Sequence, residues 1–415
     1  MTSKNALTFI FITVLIDVIG IGIILPVLPQ LIQELTGQGL SEASRISGWL
    51  LFSFAVMQFL FSSVMGGLSD RFGRRPVILL SLFGLGLDYV LMYWAPTLGW
   101  LFVGRVLAGV TGASFSAAGS YIADVSEPEK KAQNFGLIGV AFGLGFIIGP
   151  VLGGIASMWG PRIPFAVAAI LALGNGIYGF FFLPESLPLK NRRPFDWRRA
   201  NPIGSLMQLR KYPVVSGLVI SLVLIYIASH SVQSNWSFYT MFKFKWNSTQ
   251  VGYSLGIVGV LIAAVQGGLI RWLIPKLGTR RATYLGLAMS ALGLLLFSMA
   301  STGWMMIVFL IPYCLGGIAG PSIQGIISSA FPTNAQGELQ GALTSLMSAT
   351  SIVGPLLMNT LFFEATRADG YIHFPGAAFL LGAILMAFAL FFSWRTLRKY
   401  MADPTLDSQK AAANS

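Results

Sequence analysis

Long apolar stretches recur along the whole of the 415-residue chain, separated by short polar connections. About 20 consecutive apolar residues form a helix long enough to cross a lipid bilayer. This pattern predicts an all-α integral membrane protein with twelve spans. The predicted spans are 7–29, 46–68, 77–95, 98–123, 134–158, 162–183, 213–234, 250–274, 282–301, 303–330, 338–364 and 372–395.

The composition agrees with this pattern, since 55% of the residues are hydrophobic and only 10% are charged. A soluble protein could not remove so much apolar surface from water.

The first thirty residues contain Asp17 and two prolines and lack an A-x-A cleavage site, so we interpret them as a retained span. One cysteine and two distant histidines favour neither a disulfide nor a metal site. We expect no enzyme activity and no cofactor, because the sequence has no P-loop pattern and no catalytic triad arrangement.

The lysines and arginines are distributed unequally between the two sides that twelve spans define. One side, which carries both termini, receives 21 of the 27, whereas the other receives five and Arg105 lies inside a span. Positive residues accumulate in cytoplasmic connections, so both termini are predicted to be cytoplasmic. The net charge of +12 is thereby explained without a nucleic-acid partner.

The chain divides into two halves around its one long polar connection. We predict a first six-helix bundle at 1–183, a cytoplasmic loop at 184–212, a second bundle at 213–395 and a cytoplasmic tail at 396–415. The loop is interpreted as a solvated linker with some attraction to lipid headgroups. Landmarks repeat 204 or 205 residues apart, as in Gly48/Gly252, Trp100/Trp304, Gly73/Gly278, Gly136/Gly341 and Gly149-Pro150/Gly354-Pro355. Such a repeat predicts pseudo-symmetric bundles, a central substrate cavity and alternating access by rocking of the halves.

Four motifs stand in the order found in the major facilitator superfamily. They are GGLSDRFGRRP (66–76), RVLAGVTGA (105–113), GLGFIIGPVLGG (143–154) and LPESLP (183–188). They resemble, respectively, the loop 2–3 motif, the helix 4 arginine motif, the helix 5 antiporter motif and the end of helix 6. The resemblance implies the major facilitator fold.

Within that superfamily the sequence is most similar to the tetracycline/proton antiporters, over about residues 7–395. The matching stretches include LIDVIGIGIILPVLP (15–29), WNSTQVGYSL (246–255) and QGELQGALTSLMSATSIVGPLL (336–357). Those antiporters typically carry an acid in helix 9 and a histidine in helix 8, whereas 282–301 here has no acid and 250–274 has no histidine. The resemblance implies a proton-driven exporter.

Three charged residues are expected near the bilayer midplane. Asp17 and Asp88 lie about 15 Å along their helices, and Arg105 lies about 20 Å from the cytoplasmic side of a core about 30 Å thick. Charges at this depth are costly and are functional by default. We expect one acid to take up a proton when its counter-ion is exchanged, the alternative being a fixed structural ion pair. The resemblance favours Asp17, because helix 1 lines the cavity in the family.

The 66–76 loop is interpreted as a cytoplasmic latch. Arg71, Arg74 and Arg75 can pair with Asp124 at the end of helix 4, and Gly73 permits the tight turn. The resemblance implies that Asp70 accepts hydrogen bonds from the N-terminus of helix 11, near Glu338. A purely topogenic role would account for the arginines alone. The residues assigned to the latch are Gly66, Ser69, Asp70, Arg71, Gly73, Arg74, Arg75, Asp124 and Glu338.

Small residues in the helix 5 motif form one face that permits close helix packing, and Pro150 is expected to bend the helix. The resemblance connects this face to closure of the cavity on one side, and packing alone is the alternative. The residues concerned are Gly145, Gly149, Pro150, Gly153 and Gly154.

Polar side chains in predicted spans are candidates for substrate binding, although each alone is more often an interhelical hydrogen bonder. The candidates are Gln58, Arg105, His230, Gln233, Asn235, Trp236, Gln266 and Gln324. His230 is placed toward the outer face, where solvation is the simpler expectation. An aromatic cavity with few charges suits a bulky, mostly hydrophobic substrate.

Three functions remain open at this point. The first is export of amphiphilic molecules, such as tetracycline-like drugs, driven by the proton gradient. The second is transport of a metabolite, siderophore or sugar, and the third is a non-transporting membrane receptor. The expected partners are a small molecule, protons and the lipid bilayer of a bacterial inner membrane, with the protein acting as a monomer.

Overall fold

The computed structural model describes residues 3–112, 114–127, 131–195, 213–329, 336–370 and 373–401. Within these ranges the chain is built from helices and short connections, without a strand. The helices are α1 (Ser3–Ile24), α2 (Leu28–Thr36), α3 (Leu40–Phe72), α4 (Arg74–Trp94), α5 (Leu98–Thr111), α6 (Ser114–Val125), α7 (Lys131–Ala156), α8 (Ile163–Phe182), α9 (Pro213–Gln233), α10 (Trp236–Phe244), α11 (Ser248–Ala264), α12 (Ile270–Met299), α13 (Gly303–Leu315), α14 (Ala319–Ser329), α15 (Gln336–Glu364) and α16 (Ala377–Met401). A π-helical turn, Val265–Leu269, joins α11 to α12.

Nine helical segments of the described chain are long and apolar enough to cross a membrane, and a bent pair raises the number to ten. The bent pair is Gly217–Gln233 followed by Trp236–Phe244, with an angle of 43° between the two helices. The helical membrane fold is therefore confirmed, whereas the count of twelve spans is not.

Local breaks and fusions explain the difference in the count. The predicted spans 250–274 and 282–301 lie in one helical run, Ser248–Met299, in which Gly278 has non-helical dihedrals with φ of 75°. The predicted span 98–123 is interrupted after Thr111, which leaves α5 with only 14 residues. Each predicted span nevertheless overlaps a helix, because hydrophobic length is a local property of the sequence.

The Cα positions group into two compact units. Unit 1 comprises Met1–Pro202 and Ser237–Val260, and unit 2 comprises Ile203–Trp236 and Leu261–Ser415. The predicted domain boundaries, which follow composition rather than contacts, remain a prediction.

In unit 1, α1 packs against α7, α8 and α6, while α4 packs against α8, α5 and α6. The core between them is apolar, as the fully buried Ile10, Ile78 and Leu82 illustrate. This arrangement brings α1, α4 and α5, which carry the predicted charged residues, into the interior of one unit.

In unit 2, α9 and α12 pack against α16, and α12 also contacts α13 and α14. The ring of Trp236 lies 5.2 Å from that of Phe297 and 6.4 Å from that of Phe379. Ser393 donates a buried hydrogen bond to Ser221 at 3.0 Å, which links α16 to α9. The interior of unit 2 is thus aromatic and weakly polar.

Large apolar side chains also cover the outside of both units, among them Ile170 and Phe181 on α8 and Val353 on α15. In water such a surface would drive aggregation, but against lipid it is the stable arrangement for a helix whose backbone groups are all paired internally. With nine apolar segments of spanning length in the described ranges, the chain is a multi-pass membrane protein.

Candidate functional site

Two opposite charges meet in the interior of unit 1. Asp88 on α4 is fully buried and forms an ion pair with Arg105 on α5, whose Nε donates to Asp88 Oδ1 at 3.3 Å. Nη2 of Arg105 lies 3.2 Å from Sδ of Met92, and the guanidinium lies 5.8 Å from the ring centroid of Phe54. Removing one partner of a buried pair costs about 3–5 kcal/mol, because the other charge is left unpaired. Asp88 is therefore the buried counter-ion of Arg105 in this structure.

The second intramembrane acid, Asp17, occupies a separate position on α1 and is 1% exposed. Thr13 lies one turn earlier on the same face and donates to Asn175 Oδ1 on α8 at 3.5 Å. Tyr89 of α4 is close enough to Asp17 for a Coulombic interaction. Its hydroxyl approaches α1 where Gly20 has no side chain, since a Cβ there would lie 2.5 Å from the Tyr89 oxygen. Asp17 is thus enclosed in a polar seam between α1, α4 and α8.

The 66–76 loop is a tight turn that is fixed by a distant acid. Gly73 joins α3 to α4 with φ of 107°, a backbone conformation that residues with a side chain rarely adopt. Glu185 then accepts the first two backbone N–H groups of α4, from Arg74 at 2.8 Å and from Arg75 at 3.2 Å. These N–H groups have no partner within the helix, and the helix dipole favours an anion at this end. Glu185 is therefore an N-terminal cap supplied from 111 residues further along the chain.

The side chain of Arg74 connects three helices at the same end of unit 1. Its Nη1 lies 2.6 Å from Asp70 Oδ1 on α3, and its Nε lies 3.1 Å from Asp124 Oδ2 on α6. Nη1 also donates to Ser69 at 3.2 Å, and Ser186 donates to Asp124 at 3.0 Å. We call Asp70, Arg74, Asp124 and Glu185 the acid–arginine network. It joins α3, α4, α6 and the segment after α8.

Arg71 and Arg75 do not take the partner that the sequence predicted for them. The Arg71 guanidinium lies over the ring of Phe72, 5.0 Å from its centroid. Arg75 donates through Nη2 to the carbonyl oxygen of Phe180 at 2.5 Å. Arg74 alone of the three contacts both Asp70 on α3 and Asp124 on α6. The side chain of Glu338 lies outside the described residues, so the predicted contact of Asp70 near it remains a prediction.

The small residues of the helix 5 motif bring α7 close to α1. A Cβ at Gly145 would lie 2.6 Å from Val18 Cβ, and a Cβ at Gly149 would lie 2.6 Å from the carbonyl oxygen of Ile19. Gly153 similarly meets the backbone of Ile23, two turns beyond Asp17. The part of α1 that carries Asp17 is therefore packed directly against α7, through its backbone at Ile19 and Ile23 and through the Val18 side chain.

The other edge of the same motif contacts α11 within unit 1. Thr249 donates to the carbonyl oxygen of Gly154 at 2.9 Å. A Cβ at Gly154 would lie 2.9 Å from the carbonyl oxygen of Ser248. Pro150 lies inside α7, which continues to Ala156. The motif thus packs α7 between α1 and α11.

The candidate substrate residues fall into different environments, and their role in substrate binding remains a prediction. Three are buried, one is partly buried and three are exposed, in addition to the buried Arg105. In that order they are His230, Asn235 and Trp236, then Gln58, then Gln233, Gln266 and Gln324. The expectation that His230 is solvated is wrong, because it packs against Gly354 on α15 and is 8% exposed. No cluster of three or more metal-ligating side chains occurs within the described ranges.

Sequence reasoning missed Glu185 and Tyr89. The PESLP stretch marked the end of helix 6, but the backbone that Glu185 caps lies 111 residues earlier, and no local pattern encodes that contact. Tyr89 directly follows Asp88, so its position beside an intramembrane acid was a usable signal. A polar aromatic residue next to a buried carboxylate usually seeks a polar neighbour.

Known proteins share this architecture over nearly the whole chain. The sequence model of the Major Facilitator Superfamily matches residues 10–355. The class C tetracycline resistance protein of Escherichia coli is 38% identical over 385 residues, which is 93% of this chain and 95% of that protein. The class B protein of Escherichia coli is 36% identical over 379 residues, covering 90% of this chain and 92% of its own length.

A solved structure agrees at the level of the fold. The human organic anion transporter MFSD10 superposes with a TM-score of 0.68 over 95% of this chain and 100% of its own, at 24% sequence identity. The family model and the relatives each extend over more than two thirds of the chain, and the motifs at 66–76 and 143–154 lie inside the matched region. The chain is therefore a member of the major facilitator superfamily, in the family of the tetracycline resistance proteins.

Proposed function

We propose that the protein is a proton-driven antiporter that exports tetracycline-like amphiphilic drugs by alternating access. The single observation that carries this proposal is Asp17, an acid buried at mid-helix on α1 and separate from the Asp88–Arg105 pair. The names of the relatives, which are tetracycline resistance proteins, support the substrate class.

Asp17 is the proton carrier because its surroundings differ from those of Asp88. Asp88 is held by a guanidinium that is itself fixed by Met92 and Phe54, so exchanging its counter-ion would leave two buried charges unpaired. Asp17 lies near Tyr89, whose hydroxyl can accommodate either a carboxylate or a carboxylic acid by turning its O–H group. Protonation at Asp17 therefore leaves the Asp88–Arg105 ion pair intact.

The packing of α1 on α7 connects that proton to movement. Gly145, Gly149 and Gly153 place the α1 backbone against α7, and Gly154 places α7 against α11. Two helices that pack this closely, with no large side chains between them, move as one body or slide along each other. A change of charge at Asp17 can thus be transmitted to the helices that open and close the substrate path.

The acid–arginine network keeps the end of unit 1 that carries the 66–76 loop rigid during this movement. It connects α3, α4, α6 and the segment after α8 through charge-assisted hydrogen bonds. Rocking between two states requires each moving body to keep its internal packing. We assign the network the role of a latch that holds the bundle end together.

The remaining features of the proposal concern location and energy. The protein lies in a bacterial inner membrane with both termini in the cytoplasm, a side supported by the 21 basic residues assigned to it. It works as a monomer with the proton gradient as its energy source and without a cofactor.

The test uses the full chain in proteoliposomes with an imposed pH gradient. Tetracycline is added first, followed by a panel of lipophilic cations, dyes and metabolites, while proton movement is recorded. We expect proton release with tetracycline in the wild type and none in Asp17→Asn. Asp369→Asn, which alters an 83% exposed carboxylate, is the matched control and should behave as the wild type.

Two outcomes would contradict the proposal. Proton release retained in Asp17→Asn would move the coupling site elsewhere. No release with any compound, from protein shown to be folded and to bind tetracycline, would favour uniport, import or a receptor role.

A further inference from the structure

A cleft opens at the end of unit 1 opposite the 66–76 loop. It has a volume of about 390 Å³, within the range of about 300–1,000 Å³ that is usual for small-molecule sites. Its walls come from the ends of three elements, namely α2, α4 and the turn before α8. The residues that line it are Glu34, Tyr93, Trp94, Trp159, Gly160, Pro161, Arg162 and Ile163.

An ion pair lies in the wall of this cleft. Arg162 donates from Nε to Glu34 Oε1 at 2.8 Å. Its Nη1 donates to the carbonyl oxygens of Tyr93 and Ala95, each at 2.9 Å, which closes the end of α4 against the start of α8. Within the described residues, Nη2 of Arg162 and Oε2 of Glu34 make no hydrogen bond. One donor and one acceptor of opposite charge thus remain available side by side.

Two indole rings border the pair and project outward. The side chains of Trp94 and Trp159 are 71% and 72% exposed, which are among the highest values for large apolar residues in the described chain. Tryptophan at the ends of membrane helices usually lies at the level of the lipid headgroups. The open side of the cleft therefore faces the region where phosphates and amines of lipids are concentrated.

The charge of the wall selects a kind of headgroup. The pair is neutral overall, so it offers no net attraction to an anionic lipid. A zwitterion fits it, because a guanidinium matches a phosphate and a carboxylate with aromatic neighbours matches an ammonium. Arg162 is one of only five basic residues predicted for the side opposite the termini, so positive charge is scarce on that side. The placement of Arg162 in a cleft is therefore not explained by membrane topology.

We propose that this cleft binds the headgroup of a zwitterionic, ethanolamine-type phospholipid from the leaflet on that side. The phosphate accepts from Nη2 of Arg162, and the ammonium donates to Oε2 of Glu34 while it lies against the rings of Trp94 and Trp159. Binding there fixes the junction of α2, α4 and α8 and is independent of the proton site.

The test measures lipid retention by the full-length protein in nanodiscs, using native mass spectrometry and equal amounts of phosphatidylethanolamine and phosphatidylglycerol. We expect the wild type to retain the ethanolamine lipid preferentially, and Arg162→Gln and Glu34→Gln each to weaken that retention by about tenfold, the effect of one charge-assisted hydrogen bond. Glu34→Gln keeps an amide oxygen for Arg162, so it remains informative if Arg162→Gln fails to fold.

The chain offers a matched control on the same predicted side. Arg367 pairs with Glu364 at 3.0 Å with comparable exposure, and this pair does not line the cleft. Arg367→Gln should leave retention unchanged. Equal losses in Arg367→Gln and Arg162→Gln, equal retention of both lipids, or full displacement by millimolar soluble phosphoethanolamine would overturn the proposal. Since none of these readouts involves transport, their failure is distinguishable from failure of the antiporter proposal.

Discussion

Two short loops occupy equivalent places in the two halves of the chain, 205 residues apart, and they use their charged residues differently. The first, SDRFGRR at 69–75, connects α3 to α4, and the second, IPKLGTRR at 274–281, lies within α12. Both turn at a glycine with positive φ, which is 107° at Gly73 and 75° at Gly278.

At two equivalent positions, each loop carries a cationic side chain that lies over an aromatic ring. The distances from cation to ring centroid are 5.0 Å for Arg71–Phe72, 3.8 Å for Lys276–Trp272, 5.8 Å for Arg75–Phe180 and 5.6 Å for Arg280–Tyr284. The first loop has in addition Asp70 and Arg74, where the second has Pro275 and Thr279. The acid–arginine network is built on these two positions. The turn and the cations thus belong to the repeated architecture, whereas the network is a specialisation of unit 1.

The largest expected effect tests that specialisation through Arg74→Gln. This change removes hydrogen bonds to Asp70 and Asp124 from a side chain that is only 11% exposed. Loss of one charge-assisted bond of about 1.5–3 kcal/mol corresponds to roughly a ten- to hundredfold decrease in the fraction of molecules in which the network holds this end of unit 1 together. We expect tetracycline uptake into inverted vesicles to fall at least tenfold.

Lys276→Gln removes one positive charge from the equivalent loop and is the control for Arg74→Gln. It should change uptake by no more than about fivefold, since exposed cation–π contacts contribute about 0.5–1 kcal/mol. Equal losses in the two variants would mean that the network has no special role and that both loops act only through their charge.

The next effect compares the two glycines by alanine substitution. Each alanine must adopt positive φ, at a cost of about 1–2 kcal/mol. At position 73 the new Cβ would also lie 2.6 Å from the carboxyl carbon of Glu185, whereas at position 278 no atom lies within 4 Å. Thermal unfolding in detergent should therefore show a greater loss of stability for Gly73→Ala than for Gly278→Ala. The opposite order would place Glu185 away from the turn.

Glu185→Gln should have a smaller effect, because glutamine keeps one acceptor but loses the charge at the start of α4. Capping and dipole interactions of this type contribute about 0.5–2 kcal/mol. We expect a loss of stability in that range, measured by thermal unfolding, together with reduced protection of the first α4 amides in hydrogen exchange. Glu364→Gln, in an exposed ion pair, should leave those amides unchanged. Protection that is unaltered in Glu185→Gln would rule out the cap.

The smallest effects are expected from Arg71→Gln and, at the equivalent position, Lys276→Gln. Both remove a single exposed cation–π contact, so stability should fall by about 0.5–1 kcal/mol or less, and by similar amounts in the two variants. A marked difference between them in thermal unfolding would show that position 71 takes part in the network after all.

Features that depend on local sequence were predictable. The apolar lengths located helices throughout the chain. The depths of Asp17, Asp88 and Arg105 along their helices placed all three near one level, which is compatible with the observed Asp88–Arg105 pair but did not single it out. The glycine within the charged 66–76 stretch predicted the tight turn that the structure has at Gly73.

Features that depend on tertiary packing were not predictable. The number of spans was obscured by the break after Thr111 and by Gly278 inside α12, where hydrophobicity alone does not report the backbone dihedrals. The cap on α4 depends on a contact between Glu185 and the backbone of Arg74, which lie 111 residues apart in the sequence. The choice of Arg74 over its neighbours depends on the direction in which each side chain leaves the helix, which the order of residues does not state.

The cap by Glu185 has a consequence for biosynthesis. The ribosome synthesises the start of α4 well before Glu185, which follows 111 residues later. At about 5–20 residues per second, this interval lasts roughly 6–22 s. During that time α4 can insert into the membrane, but its first amides must be satisfied by water or lipid. The start of α4 is therefore capped only after the whole of α8 has been synthesised.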